Sequence, residues 1–215
     1  MRLLAHADGR LADAQVRPSR RPTAVMYGGT AVTRAEVERA MTGDHDAFAA
    51  LVGPANDRLY AVAHLILRDA DRAKDATQEA LVKAWRELPR LRDPDRFDAW
   101  LRRLLVNACY DEARRIRRRS EVTYIASMDL RSEDATRDVV ERERVERAFR
   151  RLPVDQRTVL VLQHHARLTQ AEIAETLGIP LGTAKSRIRY ASESMRASLE
   201  ADDRLDTLAP IERTA

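Results

Sequence analysis

The feature that most constrains the fold is a helical spacing of apolar residues, interrupted once near the middle of the chain. Along residues 73–88, apolar side chains recur at i, i+3, i+4 and i+7 for four turns, which predicts an amphipathic helix. Related spacings cover residues 44–119 and resume after about residue 139, whereas residues 120–139 show none. Because structureless segments of about 20 residues are uncommon inside one compact domain, the sequence predicts two helical domains and a linker.

Composition favours helices over strands. Charged residues make up 33% of the chain and aromatic residues 5%, and the 215 residues include only seven glycines. Strand-rich folds rely more on aromatic and β-branched residues and on turn glycines. The expected fold class is therefore all-α, with two small helical domains joined by a flexible acidic linker.

Charge is distributed unevenly, although the formal net charge is only +4. Residues 102–119 carry seven arginines against two acids, whereas residues 120–143 carry seven acids against three arginines. This separation predicts a surface that binds a polyanion, followed by an acidic connector.

The single cysteine and the hydropathy pattern indicate the cellular compartment in which the protein is expected. Cys109 has no partner for an intramolecular disulfide, which fits a reducing cytoplasm. No run of about 18 apolar residues could cross a bilayer, and the first 22 residues lack the apolar core of a secretory signal. We therefore expect a cytoplasmic protein without stable membrane insertion.

An enzyme is not indicated, and neither a cofactor nor a metal is expected. The five histidines form no His-Glu-x-x-His pattern, and the chain has no Gly-rich phosphate loop and no Cys-x-x-Cys pair. The adjacent His164 and His165 would point about 100° apart on a helix, so they are not a chelating pair.

Residues 168–199 predict a helix-turn-helix. Thr169 and Glu172 form a capping box, Gly178 suits the left-handed end of a first helix, and Pro180 prevents its continuation. Thr183 is expected to cap a second helix, whose outer side chains suit base edges and phosphates in the major groove. The alternative is a helical hairpin that contacts only protein. The predicted DNA-binding residues are Thr183, Lys185, Ser186, Arg187, Arg189 and Tyr190.

Two blocks, in their order and spacing, resemble the extracytoplasmic-function branch of bacterial sigma factors within the sigma-70 superfamily. The first block, at residues 75–119, reads DATQEALVKAWRELPRLRDPDRFDAWLRRLLVNACYDEARRIRRR. The second, at residues 151–191, reads RLPVDQRTVLVLQHHARLTQAEIAETLGIPLGTAKSRIRYA. Two parts depart from the family pattern: residues 1–40 have no counterpart, and residues 163–165 (Gln-His-His) replace a turn that is often acidic and contains glycine.

The resemblance implies a sigma factor that binds core RNA polymerase, recognises the −35 and −10 promoter elements and assists promoter melting. An anti-sigma factor is an expected further partner, and we expect a monomer when the chain is free. The implied organisation is a mobile extension (1–43), a polymerase and −10 domain (44–119), a linker (120–140), a −35 helix-turn-helix domain (141–200) and a tail (201–215).

Family positions that face polymerase correspond to Asp75, Gln78, Glu79, Lys83, Trp85 and Arg86. Those on the helix that faces the melted strand correspond to Asn107, Tyr110, Asp111, Arg114 and Arg115, followed by Arg117 and Arg118 of the arginine run.

Several of these assignments have a structural alternative. Trp85 lies on the apolar face of its helix, so a core position is the first interpretation and an interface role the second. Tyr110 is the one aromatic residue on the polar face of its helix, whereas Phe97 and Trp100 are expected to pack rather than stack on a base. The arginine run is expected to contact phosphates, with a solvated helix end as the alternative.

A helix-turn-helix activator or repressor that acts without replacing sigma is the alternative function. It would share the C-terminal motif. It gives no reason, however, for the first domain to end in an arginine-rich helix.

Overall fold

The computed structural model describes residues 33–120 and 137–208, and every regular element in these ranges is helical. Two 3₁₀ turns, Leu88–Arg90 and Pro94–Arg96, precede the fourth helix, and a π-helical turn, Val161–His165, follows the sixth. The α-helices are α1 (Arg34–Met41), α2 (His45–Leu67), α3 (Ala70–Glu87), α4 (Phe97–Ser120), α5 (Arg137–Arg151), α6 (Val154–Leu160), α7 (Gln170–Leu177) and α8 (Leu181–Leu208). The expected all-α class is confirmed. Within the described ranges, none of these helices combines the length and apolarity that a bilayer span requires.

The first domain is built around α3, whose apolar face is made of small residues. Ala73, Ala76, Ala80 and Ala84 are each at most 1% exposed and lie between α2 and α4. Small side chains let the three helix backbones approach closely, and the leucines of α2 and α4 fill the space around them. The polar face of α3 is consequently left on the surface.

The N-terminal boundary of this domain differs from the sequence prediction. Residues 34–41 were expected in a mobile extension, but they form α1, which begins with a capping box between Thr33 and Glu36. Val37 and Ala40 are each 1% exposed and belong to the core of the domain. An eight-residue helix with so few apolar residues is too short to show a periodic pattern. The rest of the predicted extension, residues 1–32, lies outside the described residues.

Helix α2 is continuous from His45 to Leu67, even though Pro54 lies inside it. A proline within a helix removes one backbone hydrogen bond and costs about 3 kcal/mol. Pro54 is exposed, whereas Leu51, Ala55 and Leu59 on either side of it are at most 4% exposed. Burial of these flanking residues keeps the helix continuous.

The second domain has the predicted helix-turn-helix. Thr169 and Glu172 form the expected capping box, and Gly178 ends α7 with φ 65°. The prediction that Thr183 caps the next helix is wrong, because the N–H of Ala184 donates to the Pro180 carbonyl at 3.0 Å. Helix α8 therefore begins at Leu181, three residues before the start that a Thr183 cap implies, and Thr183 lies in its first turn.

The predicted linker and tail are shorter than expected. Helix α4 includes Ser120 and α5 begins at Arg137, so residues 137–140 are helical, while residues 121–136 lie outside the described ranges. Helix α8 continues past residue 200 to Leu208, and residues 209–215 again lie outside the described ranges. Asp202, which is 4% exposed, forms ion pairs with Arg147 and Arg151 of α5 and so anchors this extension.

The two domains pack against each other. Val106 of α4 is 1% exposed and lies in the hydrophobic core of the second domain, and Val161 of the π-helical turn is 3% exposed in the core of the first. Phe149 of α5 contacts both cores. The linker is therefore not the sole connection between the domains in this structure.

Candidate polymerase and DNA interfaces

The outer face of α8 near its start carries exposed, mostly cationic side chains. Lys185 and Arg189 are exposed, and Tyr190 is 53% exposed, with the Arg189 guanidinium 4.8 Å from the centre of its ring. The opposite face is formed by Ala184, Ile188 and Ala191, all at most 6% exposed. Burial of that face fixes the helix in the domain and leaves its cationic face accessible.

The remaining predicted residues of α8 are less accessible. Thr183, Ser186 and Arg187 are half-buried, and the Ser186 hydroxyl donates to the Thr183 carbonyl at 3.0 Å. Arg187 follows Lys185 by two positions, so the two side chains leave the helix about 200° apart. Arg187 therefore lies on a different flank of α8 from Lys185, towards α4.

The C-terminal half of α4 is a second cationic surface. Asn107, Arg114, Arg117 and Arg118 are exposed, while Asp111 is half-buried and forms an ion pair with Arg114. The arginine run therefore projects several positive charges beyond the part of α4 that packs in the domain.

Arg115 joins this cationic surface to α3. Its guanidinium lies 3.1 Å from a carboxylate oxygen of Glu112 and 3.3 Å from one of Glu79. The hydrogen bond to Glu112 and the charge of Glu79 raise the pKa of Arg115. The predicted polymerase-facing and DNA-facing sets thus meet at the Glu79–Arg115 pair.

Tyr110, which was expected on an accessible polar face, is half-buried against the second domain. Burial raises the pKa of its phenol, while Thr158 and the nearby Arg187 guanidinium act in the opposite direction. The hydroxyl lies beside Thr158 but makes no hydrogen bond of normal geometry within the described residues. In this structure the ring is therefore not available for stacking on a base.

The two other aromatic candidates of α4 pack as expected. Phe97 is 2% exposed in the core of the first domain. Trp100 is half-buried against that core, with its ring centre 5.9 Å from that of Phe97.

The polar face of α3 is open. Asp75, Gln78, Lys83 and Arg86 are exposed and Glu79 is half-buried. These residues share one side of the helix and border the α4 surface through Glu79.

Trp85 lies at the edge of the core rather than in the centre of this face. It is half-buried, with its ring stacked on His45 at 4.3 Å and edge-on to Phe48 at 5.0 Å between centres. These contacts favour the packing interpretation of Trp85.

Sequence reasoning missed Val82 on the same face of α3. Val82 is 50% exposed, among the polar residues Gln78, Lys83 and Arg86. Its position away from the inward-facing Leu81, Ala84 and Trp85 was the available signal. A single exposed apolar residue is common on protein surfaces, so Val82 is of interest only because it lies on the face predicted to bind polymerase.

Comparison with known proteins assigns both domains. The family description Sigma-70 region 2 matches residues 51–119, and Sigma-70, region 4 matches residues 142–195. The RNA polymerase sigma-H factor of Pseudomonas aeruginosa is 31% identical over 177 residues, which cover 76% of this chain and 92% of that protein. The ECF RNA polymerase sigma factor SigM of Mycobacterium tuberculosis is 34% identical over 151 residues, 70% of this chain and 76% of that protein.

The chain belongs to the extracytoplasmic-function branch of the sigma-70 family.

Solved structures that are similar to this chain include two complexes with the same fold. CnrH, in complex with the cytosolic domain of CnrY, has a TM-score of 0.60 and 28% identity, covering 80% of this chain and 99% of CnrH. RpoE of Bartonella quintana, in complex with the anti-sigma factor NepR, has a TM-score of 0.54 and 27% identity, covering 72% of this chain and 95% of that protein.

This sigma factor is a promoter-recognising subunit for RNA polymerase. The region 2 match spans α3 and α4, which carry the two predicted surfaces of the first domain, and the region 4 match contains the helix-turn-helix. A helix-turn-helix regulator that acts without replacing sigma is not favoured, because it does not account for the region 2 match.

Proposed function

We propose that the first domain of this sigma factor binds core polymerase through α3 and the −10 element through α4, and that the second domain recognises the −35 element through α8. One observation supports this division of roles. In each of the two matched sigma regions, one face of a helix is buried and the opposite face of the same helix is exposed and charged. The functional domains are taken as residues 44–119, extended by α1, and residues 141–200. The linker would pass between them towards the RNA exit channel.

Recognition of the upstream element is assigned to the start of α8. The exposed Lys185 and Arg189 can reach guanine edges or phosphates in the major groove, and Tyr190 offers an apolar ring with a polar tip. The half-buried Thr183, Ser186 and Arg187 are proposed to complete this surface on the promoter.

Opening of the −10 element is assigned to α4. Unpaired bases need stacking surfaces and phosphate contacts, and no covalent step is required of the protein. Tyr110 would supply the stacking ring, Asn107 and Asp111 polar contacts to bases, and the arginine run the phosphate contacts. The arginines in this role are Arg114, Arg115, Arg117 and Arg118.

Binding to polymerase is assigned to the open face of α3. Asp75, Gln78, Glu79, Lys83 and Arg86 provide charged and polar contacts, and Val82 supplies the apolar contact among them. Trp85 would act indirectly, since it supports the helix from the core side.

The proposal includes no catalytic step and no cofactor. Sigma factors act as regulators by directing the polymerase, so the chemistry belongs to the enzyme that they bind. We therefore propose that this chain acts in the cytoplasm, where its polymerase and promoter DNA are found.

An anti-sigma protein is the proposed regulator. Two solved structures that are similar to this chain are complexes, one with the cytosolic domain of CnrY and one with the anti-sigma factor NepR. A groove of about 840 Å³ between the two domains, with apolar walls from Leu65, Phe149, Leu160 and Met195, supports a contact with a partner there. A partner seated in the groove would touch both domains at once.

Reconstitution with core polymerase tests the proposal. Purified core enzyme without sigma is mixed with the chain and with a library of genomic DNA fragments, and the 5′ ends of transcripts are mapped. We expect discrete start sites that appear only when the chain is added. A chain that changes transcription only when another sigma factor is present would instead be an activator or repressor.

A further inference from the structure

Two arginines share one carboxylate in the wall of the groove between the two domains. Arg68, at the left-handed end of α2, lines the groove together with Glu146 of α5. The Arg68 side chain is 12% exposed and pairs with a carboxylate oxygen of Glu146, and Arg150 of α5 pairs with the same oxygen at 2.9 Å. Hydrogen bonds from Arg150 and Arg68 lower the pKa of Glu146, so this acid is ionised at neutral pH and already has two cationic partners.

A third arginine lies near Arg68 without an acid of its own. Arg157 of α6 is half-buried, and burial together with the charge of Arg68 lowers its pKa. The two guanidinium groups are therefore close enough to repel each other, and no acid of the described residues counteracts this effect on Arg157. The junction of α2, α5 and α6 thus carries more positive than negative charge.

Both of these arginines also have a buried N–H group without an acceptor. The Nε atoms of Arg68 and Arg157 are buried and make no hydrogen bond with the described residues. A buried donor without an acceptor is costly, and a guanidinium can donate two parallel hydrogen bonds to a carboxylate or a phosphate. The two side chains therefore provide the donors and the positive charge that an oxyanion requires.

The remaining wall of the groove is largely apolar. Its volume of about 840 Å³ lies in the range of pockets that bind small organic ligands. Glu146 is the one acid among the described residues that line the groove, and the other polar side chains there are His164, His165 and Ser192. The groove is therefore suited to a ligand that has an apolar body and an anionic head.

We propose that this groove binds a small amphipathic oxyanion, whose carboxylate or phosphate head lies between Arg68 and Arg157 and whose apolar body lies along the groove. The head would accept hydrogen bonds from the two Nε–H groups and would offset the repulsion between the guanidinium groups. The site does not depend on the proposed roles in binding DNA and polymerase. A bound ligand would compete with the protein partner proposed above for the same groove.

A series of ligands tests the head and the body separately on the free, full-length chain. Decanoate and decyl phosphate carry the two possible heads, and decanol has the same body without a charge. Titration calorimetry at neutral pH, with each ligand below its micelle concentration, should show saturable binding of at least one of the two anions. The tighter of the two identifies the preferred head.

The anionic head should account for a large part of the affinity. We expect decanol to bind about 10- to 100-fold more weakly than the preferred anion, because a hydrogen bond to a charged group is lost. Acetate and inorganic phosphate, which are heads without a body, should also bind more weakly than the preferred anion because they lose the apolar contacts.

Substitution of the two arginines tests the head site. Arg157→Gln removes one charge and one Nε–H donor, so it should weaken anion binding about 10-fold or more and leave decanol binding unchanged. Arg68→Lys keeps the charge that pairs with Glu146 but lacks the Nε–H group, and should also weaken anion binding. Arg90→Gln, an exposed arginine outside the groove, is the matched control. Circular dichroism is used to confirm that each variant remains helical.

Substitution of the apolar wall tests the body site. Val145 of α5 lines the groove and is 42% exposed, so a change there should not disturb the core. Val145→Ser should weaken the binding of the preferred anion and of decanol by the same factor, about 3- to 10-fold, because it removes apolar contact and leaves the head site intact.

The outcomes are decisive in either direction. Equal affinities of decanol and the two anions would overturn the oxyanion site, and so would unchanged anion binding by both Arg157→Gln and Arg68→Lys. The absence of saturable binding by both anions would overturn the groove as a ligand site. These titrations contain neither polymerase nor DNA, so a failure of the chain to direct transcription would contradict the proposed function and leave this inference standing.

Discussion

Two surfaces of the first domain differ in their accessibility. The outer face of α3 is open, with Asp75, Gln78, Lys83 and Arg86 exposed and Val82 50% exposed among them. The flank of α4 that carries Val106 and Tyr110 is packed against the second domain. Both helices belong to one core, so the difference comes from the second domain and not from the folding of the first.

This comparison suggests an order of events. A chain whose polymerase-facing surface is open and whose DNA-facing surfaces are covered can meet polymerase first and promoter DNA afterwards. Linked modules also raise each other's effective concentration once both can reach their sites. We therefore expect weak promoter binding by the free chain and specific binding by the holoenzyme.

The largest expected effect is a loss of affinity for core polymerase when the outer face of α3 is changed. Asp75→Arg should weaken binding to core polymerase by about 2–4 kcal/mol. The substitution places a positive charge where an acidic side chain is expected to contact the enzyme, so like charges then face each other across the interface. Affinity is measured by titration with labelled core enzyme, with Asp57→Arg, an exposed reversal on α2, as the control. Unaltered holoenzyme assembly would remove Asp75 from the interface.

A somewhat smaller effect is expected on α8. Arg189→Ala should weaken promoter binding by the holoenzyme by about 1–3 kcal/mol, the value of one good contact to a base edge. Arg196→Ala, an exposed arginine farther along α8, is the matched control.

Arg187→Ala tests the covered side of α8. In the holoenzyme, its loss should also cost about 1–3 kcal/mol at the upstream element. Identical footprints and affinities for wild type and Arg187→Ala would show that this flank of α8 does not face DNA.

Val82 provides a second test of the exposed face of α3. Val82→Asp should weaken binding to core polymerase by about 1 kcal/mol and leave the melting temperature nearly unchanged, because exposed substitutions usually alter stability by less than about 0.5 kcal/mol. Lys74→Ala, another exposed residue of α3, is the control for a general effect on the helix. A lower melting temperature with unchanged core affinity would assign Val82 to folding instead.

Local features of the fold could be predicted from the sequence. The Thr169–Glu172 capping box and the left-handed Gly178 depend on residues within a few positions of each other, so the helix-turn-helix follows from short patterns. Helix α1 was missed because so short a helix depends on its packing against the rest of the domain, although its Thr33–Glu36 capping box was an available local signal.

The candidate surfaces were predictable where the helix periodicity leaves side chains outside. Lys185, Arg189 and most of the α3 face are exposed as their positions indicated. The contact between the domains was not predicted, because a single sequence does not say which surfaces meet across a linker. Val106 and Tyr110, four residues apart and outside the main apolar face of α4, were the available signal for a second packing partner.

The smallest expected effect concerns the pH dependence of the contact between α4 and the second domain. Because burial raises the pKa of Tyr110, the neutral phenol is favoured while the two domains are packed together. Below about pH 10 the phenol is neutral in both forms, so the contact is fully retained, and it weakens as the pH rises through the raised pKa. Energy transfer between a dye at position 49 of the first domain and a dye at position 197 of the second should therefore fall above about pH 10 when Tyr110 is present.

Tyr110→Phe should reduce that fall, while Arg187, Asp155 and Cys109, which also act on the phenol, are unchanged. At neutral pH the same substitution should alter the contact by less than about 1 kcal/mol, since the hydroxyl makes no hydrogen bond of normal geometry. A pH profile identical to that of the wild type would assign the alkaline opening to other groups.

The most direct measurement follows the interdomain distance, with dyes on Ala49→Cys of α2 and Ala197→Cys of α8, as core polymerase is added without DNA. Energy transfer should be high in the free chain and should fall in proportion to holoenzyme formed. If energy transfer is already low before polymerase is added, or stays high in the saturated holoenzyme, then polymerase does not uncover the DNA-facing surfaces.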